Sequence, residues 1–247
     1  MPCTEGYYCE TGTSTPTLQP AAGEYAPEGS SFPLLCPRGT YSGSVGAVSC
    51  IKCEAGFFCD GVGINLTTRE DCPEGFYCPS FDTYTANGDD YRKFPCPKGY
   101  YNNLKNKGKL SDCILCVEKK ACEEEGMTGL PDPATALPDC AAGYFCVQGS
   151  ENRFPETPRL GYYGPCPAGY YCAAATKDPT PCPAGTYSPQ ERAVTADYCL
   201  PCPPGKLCSV AGLSAPDGES KAGFKSDDGI NETACDQYTH CPLASHK

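Results

Sequence analysis

The chain has 247 residues, of which 22 are Cys, 27 Gly and 26 Pro, with no Trp and only 2 Met. Cysteine at this density signals a disulfide scaffold, and the remaining aliphatic side chains are too few for one large core, which argues against a single enzyme-like globule. Lys plus Arg is 19 against 30 Asp plus Glu, a formal net charge of −11, and this balance disfavours a polyanion-binding role, nucleic acid included.

The chain opens on a short loop, Cys3 to Cys9, around Gly6-Tyr7-Tyr8. The same spacing recurs at Cys53/Cys59, Cys72/Cys78, Cys116/Cys122, Cys140/Cys146, Cys166/Cys172, Cys202/Cys208 and Cys235/Cys241. The Gly-aromatic-aromatic core recurs as Gly56-Phe57-Phe58, Gly75-Phe76-Tyr77, Gly143-Tyr144-Phe145 and Gly169-Tyr170-Tyr171, whereas the Cys116 and Cys235 loops lack it. A Pro-rich connector, Ser14 to Pro20, follows the first loop. Like Pro155 to Pro158 and Pro179 to Pro183, it is expected to be an extended spacer.

A longer loop opens at Cys36-Pro37-Arg38-Gly39-Thr40-Tyr41 and closes at Cys50. Its copies run from Cys96 to Cys113 and from Cys182 to Cys199. C-P-x-G predicts a type I turn with Pro second and Gly fourth. The aromatics after it predict a short strand, one ring covering the adjacent disulfide and the other facing outward.

Gly63-Ile64-Asn65-Leu66-Thr67 contains an N-x-T acceptor, and the same frame returns as Gly229-Ile230-Asn231-Glu232-Thr233. Asn65 and Asn231 are therefore expected to carry N-linked glycans in a secreted chain. Lys105, Lys107 and Lys109 form the only basic cluster, outweighed by Glu123-Glu124-Glu125 and Asp227-Asp228, which read as solvated surface. A brief helical turn is expected near Leu115 to Glu125.

Aligning the loops gives three six-cysteine units: residues 36–95, 96–181 with an extra short loop, and 182–247. Residues 1–35 hold a partial repeat and a linker, and Cys3/Cys9 reads as the tail of a unit whose front is missing. No run of about 18 apolar residues suggests a membrane span. Zinc is disfavoured, since C-x2-C steps are followed by C-x5-C and only His240 and His246 could add imidazoles. Asp227-Asp228-Gly229 lacks the alternating acids and closing Glu of a calcium loop. His240 has no recognisable nucleophile to serve. Neither a cofactor nor a catalytic residue is indicated.

The spacing C-P-x-G-T-Y…C-x2-C-P-x-G-x-x-C, clearest from Cys182 to Cys208, resembles the ephrin-receptor-like or GCC2/GCC3 cysteine-rich repeats, related in style to tumour-necrosis-factor-receptor modules. The resemblance implies small disulfide-rich modules, mostly irregular with short β-hairpins, strung into an elongated extracellular rod without catalytic activity. By similarity to the receptor modules it implies pairing first with second, third with fifth and fourth with sixth. That gives Cys36–Cys50, Cys53–Cys72 and Cys59–Cys78, then Cys96–Cys113, Cys116–Cys140 and Cys122–Cys146, then Cys182–Cys199, Cys202–Cys235 and Cys208–Cys241. Cys166/Cys172 and Cys3/Cys9 are left to close locally, or, for the latter, to pair outside the chain.

The expected function is that of a non-catalytic structural glycoprotein at the cell surface or outside the cell. It would be a repeat block of a glycocalyx, flagellar appendage or matrix filament. Like chains, as a homo-oligomer or filament, or other surface glycoproteins are the expected partners, with Tyr25, Tyr41, Tyr162, Tyr163 and Tyr187 as contact candidates. The alternative is a ligand-binding ectodomain fragment of a cell-surface receptor, since one fold serves both roles.

Overall fold

The structure, a computed structural model, describes residues 2–12, 15–80, 93–129, 136–159, 161–221, 224–226 and 228–234. Among them lie ten two-stranded sheets of two- or three-residue strands, and two 3-10 turns at Leu110–Asp112 and Ala196–Tyr198. No helix among them is long and apolar enough to cross a membrane. Two compact units are present, Met1–Ile114 with Glu124–Ala136, and Leu115–Glu123 with Leu137–Lys247. The same local structure builds both.

Cys72-Pro73-Glu74-Gly75-Phe76-Tyr77-Cys78 shows how the sequence dictates it. The Phe76 N–H donates to the Pro73 carbonyl at 3.3 Å, and Gly75, third in this turn, has φ +82°. A positive φ at the third position marks a type II turn. The turn thus begins at the Pro, one residue later than expected, and is not type I. Phe76–Tyr77 then leaves extended and pairs antiparallel with Phe94–Pro95. Gly75 is required twice over, because a Cβ there would lie 2.1 Å from the Gly126 carbonyl oxygen and L side chains disfavour that φ.

Each such turn is a rung of a hydrogen-bonded ladder. The Gly75 N–H donates to Asn102 O at 2.7 Å, and the Gly75 carbonyl accepts from Cys96 N at 2.8 Å, both on the next rung. Gly56 makes the same two bonds to Cys78 and Cys72. In the second unit Gly143 makes them to Cys172 and Cys166, and Gly169 to Ser188 and Cys182. A connecting loop folds back to close each step, as where Asn106 N donates to Cys72 O. The polar backbone of these irregular segments is satisfied in this way, as burial demands.

The ladder outlasts its own motif. At Pro20–Ala26 there is no cysteine, yet Gly23 N donates to Ser42 O and Gly23 O accepts from Cys36 N. The Cys116 loop, which lacks Gly in sequence, keeps the rung with Lys119 at φ +68°, bonded to Cys146 O and Cys140 N. Ser220 N donates to Gly205 O, and Phe224–Lys225 pairs with Thr233–Ala234 as the next rung would require. The expected helical turn at Leu115 to Glu125 is absent, its residues being spent on this rung. Within the expected spacer Pro179 to Pro183, Thr180–Pro181 is instead a hairpin arm opposite Tyr170–Tyr171.

Ten disulfides staple the described residues, and no described cysteine is free. The long loops close as Cys36–Cys50, Cys96–Cys113 and Cys182–Cys199. All the others are local: Cys3–Cys9, Cys53–Cys59, Cys72–Cys78, Cys116–Cys122, Cys140–Cys146, Cys166–Cys172 and Cys202–Cys208. This corrects the receptor-type crossovers Cys53–Cys72, Cys59–Cys78, Cys116–Cys140, Cys122–Cys146, Cys202–Cys235 and Cys208–Cys241. The reason is the turn, which brings first and seventh Cα atoms to 5.8–6.2 Å, inside disulfide range. Cys235 and Cys241 themselves lie outside the described residues.

The core consists mainly of these bridges. Phe57 packs on the cluster of Tyr41, Cys53 and Cys59, and Tyr163 on that of Cys140, Tyr144 and Cys146. Where the first cysteine of a rung is committed to a long loop or absent, the seventh position holds Ala26, Ser42, Asn102 or Ser188, all buried.

Candidate functional site

Among the described residues, each unit holds a Tyr–Glu–Arg cluster where a loop folds over a rung. In the first, the Arg69 guanidinium lies 3.7 Å from the Phe57 ring centroid and 5.1 Å from that of Tyr41. Arg69 pairs with Glu54 at 2.5 Å, and the Tyr41 hydroxyl donates to Glu54 at 3.1 Å. Burial, reinforced by Glu54, pushes the Tyr41 phenol up. In the second, the Tyr144 hydroxyl donates to Glu156 at 2.5 Å and Arg192 pairs with the same carboxylate. The hydrogen bond to Glu156 and then burial push the Tyr144 phenol up. These groups satisfy one another, with the phenols neutral and the cations neutralised, so the clusters lock hairpin to loop.

Two open cavities lie in the second unit. One of about 340 Å³ is lined by Glu118, Lys119, Lys177 and Asp178, and its Glu118–Lys177 pair at 2.8 Å holds the carboxyl below and the ammonium above their ordinary values. The other, of about 230 Å³, is lined by Glu151, Phe154, Glu156 and Tyr163. Every described cysteine is in a disulfide, and His240 and His246 lie outside the described residues. Among the described residues no group of His, Cys, Asp and Glu could hold a metal ion.

The expected contact tyrosines separate. Tyr41 is only 5 % exposed, so it is a core residue and its candidacy as a contact is withdrawn. Tyr163 packs partly on the Cys140–Cys146 cluster, and Tyr162 lies 4.8 Å under the Arg159 guanidinium. Tyr25 and Tyr187 are half-buried hairpin residues paired with Leu34 and Leu200.

The two N-x-T loops share a G-I-N-x-T frame but not a place. Gly63 N donates to Cys36 O and Ile64 O accepts from Ser42 N, whereas Gly212 N and Leu213 O do this for Cys182 and Ser188. Gly229 O instead accepts from Cys208 N, on the following rung. The pentapeptides therefore do not occupy equivalent loops. In the first, Asn65 Oδ1 accepts from Thr67 N at 2.9 Å, Thr67 Oγ1 at 2.7 Å and Thr68 N at 3.0 Å. In the second, Asp228 caps the loop, accepting from Ile230 N and Asn231 N, both at 2.9 Å. These bonds hold the Asp228 carboxyl down at about 2. Asn231 is exposed and donates its amide to Asp228 at 3.1 Å.

Sequence reasoning missed the cysteine-free rung at Pro20–Ala26, whose signal was Gly23 and Tyr25 at the motif's fourth and sixth places, and missed that Lys119 keeps the turn in the Cys116 loop, where only the C-x5-C spacing remains. Residues 23–72 match the family described as tyrosine-protein kinase ephrin type A/B receptor-like. The chain is also 29% identical to laminin subunit gamma-1 of Homo sapiens over 156 residues, 61% of this chain and 8% of that protein. The matched segment runs from the glycine of the cysteine-free rung to Cys72, a different stretch from Cys182 to Cys208, where the spacing is clearest. With its disulfides set on a repeated turn, this is a cysteine-rich repeat protein whose residues 23–72 form an ephrin-receptor-like segment.

Proposed function

We propose that the chain is a non-catalytic structural glycoprotein outside the cell, a repeat block of a glycocalyx, flagellar appendage or matrix filament. The observation that carries the reading is the ladder, in which backbone bonds and local disulfides recur while side-chain clusters only lock hairpins. Twenty paired cysteines suit an oxidising compartment, and both comparisons are with cysteine-rich modules. Repeats at 36–95, 96–181 and 182–247, after a partial one at 1–35, would be its building blocks. Like chains or other surface glycoproteins would be its partners, through a head-to-tail contact that does not close. Glycans at Asn65 and Asn231 would cover the loops just described. The second reading, a ligand-binding receptor ectodomain, draws on the same comparison.

Electron microscopy of the native, unreduced protein tests the choice. Filaments with a regular axial repeat are expected. Isolated particles at high concentration would discard the structural reading in favour of the ectodomain. Mass loss on N-glycosidase treatment, abolished together by Asn65→Gln and Asn231→Gln, is the expected glycan result.

A further inference from the structure

The loop Leu104-Lys105-Asn106-Lys107-Gly108-Lys109-Leu110 in the first unit is at odds with the charge of its chain. The protein is net −11, yet none of these three lysines makes an ion pair with a described residue. The two carboxylates bonded to this loop take neutral donors and not the ammonium groups. Asp112 accepts from Gly108 N at 3.0 Å and Lys109 N at 2.9 Å, and Asp71 accepts from Asn106 Nδ2 at 2.9 Å.

The loop is also held. Asn106, at φ +59°, donates its amide to Gly56 O at 3.1 Å and its N–H to Cys72 O at 2.8 Å. Lys107 O accepts from Cys78 N at 2.8 Å, Asn102 Oδ1 takes Leu104 N at 3.0 Å, and the Cys96–Cys113 bridge closes the base. Every anchor is backbone or Asn, Asp and Cys, so the ammonium groups carry none of the fold. Lys105 and Lys109 are exposed and Lys107 is half-exposed. Positive charge carried on a backbone already held binds anions without the cost of ordering a loop.

We propose that this loop binds a sulfated polysaccharide. A row of three cations and two exposed leucines, Leu104 at 52% and Leu110 at 53%, is too small for a protein partner, which needs about 800 Å² a side. It is also too weakly apolar to anchor in lipid, where one short signal gives only marginal binding. A linear polyanion needs only a run of charges and gains from released counterions. Net charge, which disfavours polyanions for the whole chain, acts at long range. At contact distance, screening beyond about 8 Å leaves the local cations in control.

The test is binding of the full chain to immobilised heparin across a salt series. The expected result is salt-sensitive binding that falls at least tenfold in Lys105→Gln/Lys107→Gln/Lys109→Gln, with the log–log salt slope reduced by about 2. A matched control, Lys120→Gln/Lys177→Gln/Lys206→Gln, makes the same charge change at lysines already in ion pairs and is expected to shift affinity less than twofold. No heparin binding, equal loss in the control, or equal binding to unsulfated hyaluronan overturns the proposal. The proposal assumes the extracellular setting, but filament formation does not depend on these lysines, so its failure and that of the structural reading are separable.

Discussion

The Cys72–Cys78 and Pro20–Ala26 rungs have the same backbone and different chemistry. Both put a glycine at positive φ in the third place of the turn, and both pass one donor and one acceptor to the next rung. One has a disulfide across positions one and seven; the other has a proline and a buried alanine. The turn and the ladder therefore define the repeat, and the cysteine pair reinforces a geometry that already exists. Disulfides supply stability that a thin core lacks, and the repeat can do without them where neighbouring rungs are bridged.

If the turn is primary, breaking it should exceed every other effect. Gly75→Ala adds a Cβ at φ +82° and 2.1 Å from Gly126 O, which nothing flexible can relieve. A loss of more than about 3 kcal/mol is expected, enough to abolish secretion of a folded chain. Gly205→Ala is the sharpening control, because its φ is +75° with nothing within 4 Å, leaving only the backbone term of about 1 kcal/mol. Equal denaturation midpoints for the two variants would show that the close approach of rung and loop contributes nothing.

The converse is to add what the unbridged rung lacks. Pro20→Cys with Ala26→Cys should close a local disulfide without disturbing Cys36–Cys50, and the double variant should gain about 2 kcal/mol from the short loop. Peptide mapping under non-reducing conditions reads the pairing. A new cysteine found joined to Cys36 or Cys50 would mean that the Pro20 turn is not a true rung.

A smaller effect is expected at Lys119, the one rung position among those described where a non-glycine holds positive φ. Lys119→Gly should raise stability by about 1 kcal/mol, since a side chain in the left-handed region is strained. A destabilised variant would mean that the Lys119 side chain, beside the Glu118–Lys177 pair, contributes more than its backbone costs.

Much of this was legible in the sequence, and the gaps have physical causes. The constant C-x5-C spacing with a central glycine marked the hairpins and, read strictly, already argued for local bridges. The crossover implied by the receptor resemblance, Cys53 with Cys72, fails because each turn sets its own two cysteines side by side. A strand shows alternate faces, which makes Tyr41 read as a contact, but Glu54 of the next rung bonds its hydroxyl and Arg69 covers it from a loop that no periodicity marks. The shared N-x-T frame misled for a related reason. Loop lengths vary between rungs, so the same G-I-N-x-T frame reaches the Cys36 rung in one place and the Cys202 rung in the other.

That displaced pair of loops gives the finest form of the comparison, since one is capped by a titratable group and the other is not. Asp228 has its folded value lowered to about 2 from 3.8 by the amides of Asn231 and Ile230. A lowered carboxylate stabilises its loop above the unfolded value and loses that contribution as pH falls through the folded one. The window is therefore from about pH 4 down to about 2. The Asn65 cap is an uncharged amide and should ignore it. Amide chemical shifts of Ile230 and Asn231 should move with a midpoint near 2, while those of Thr67 and Thr68 stay flat. A midpoint at the ordinary carboxylate value would mean that Asp228 does not cap the loop, and the contrast between the two N-x-T loops would then rest on their rungs alone.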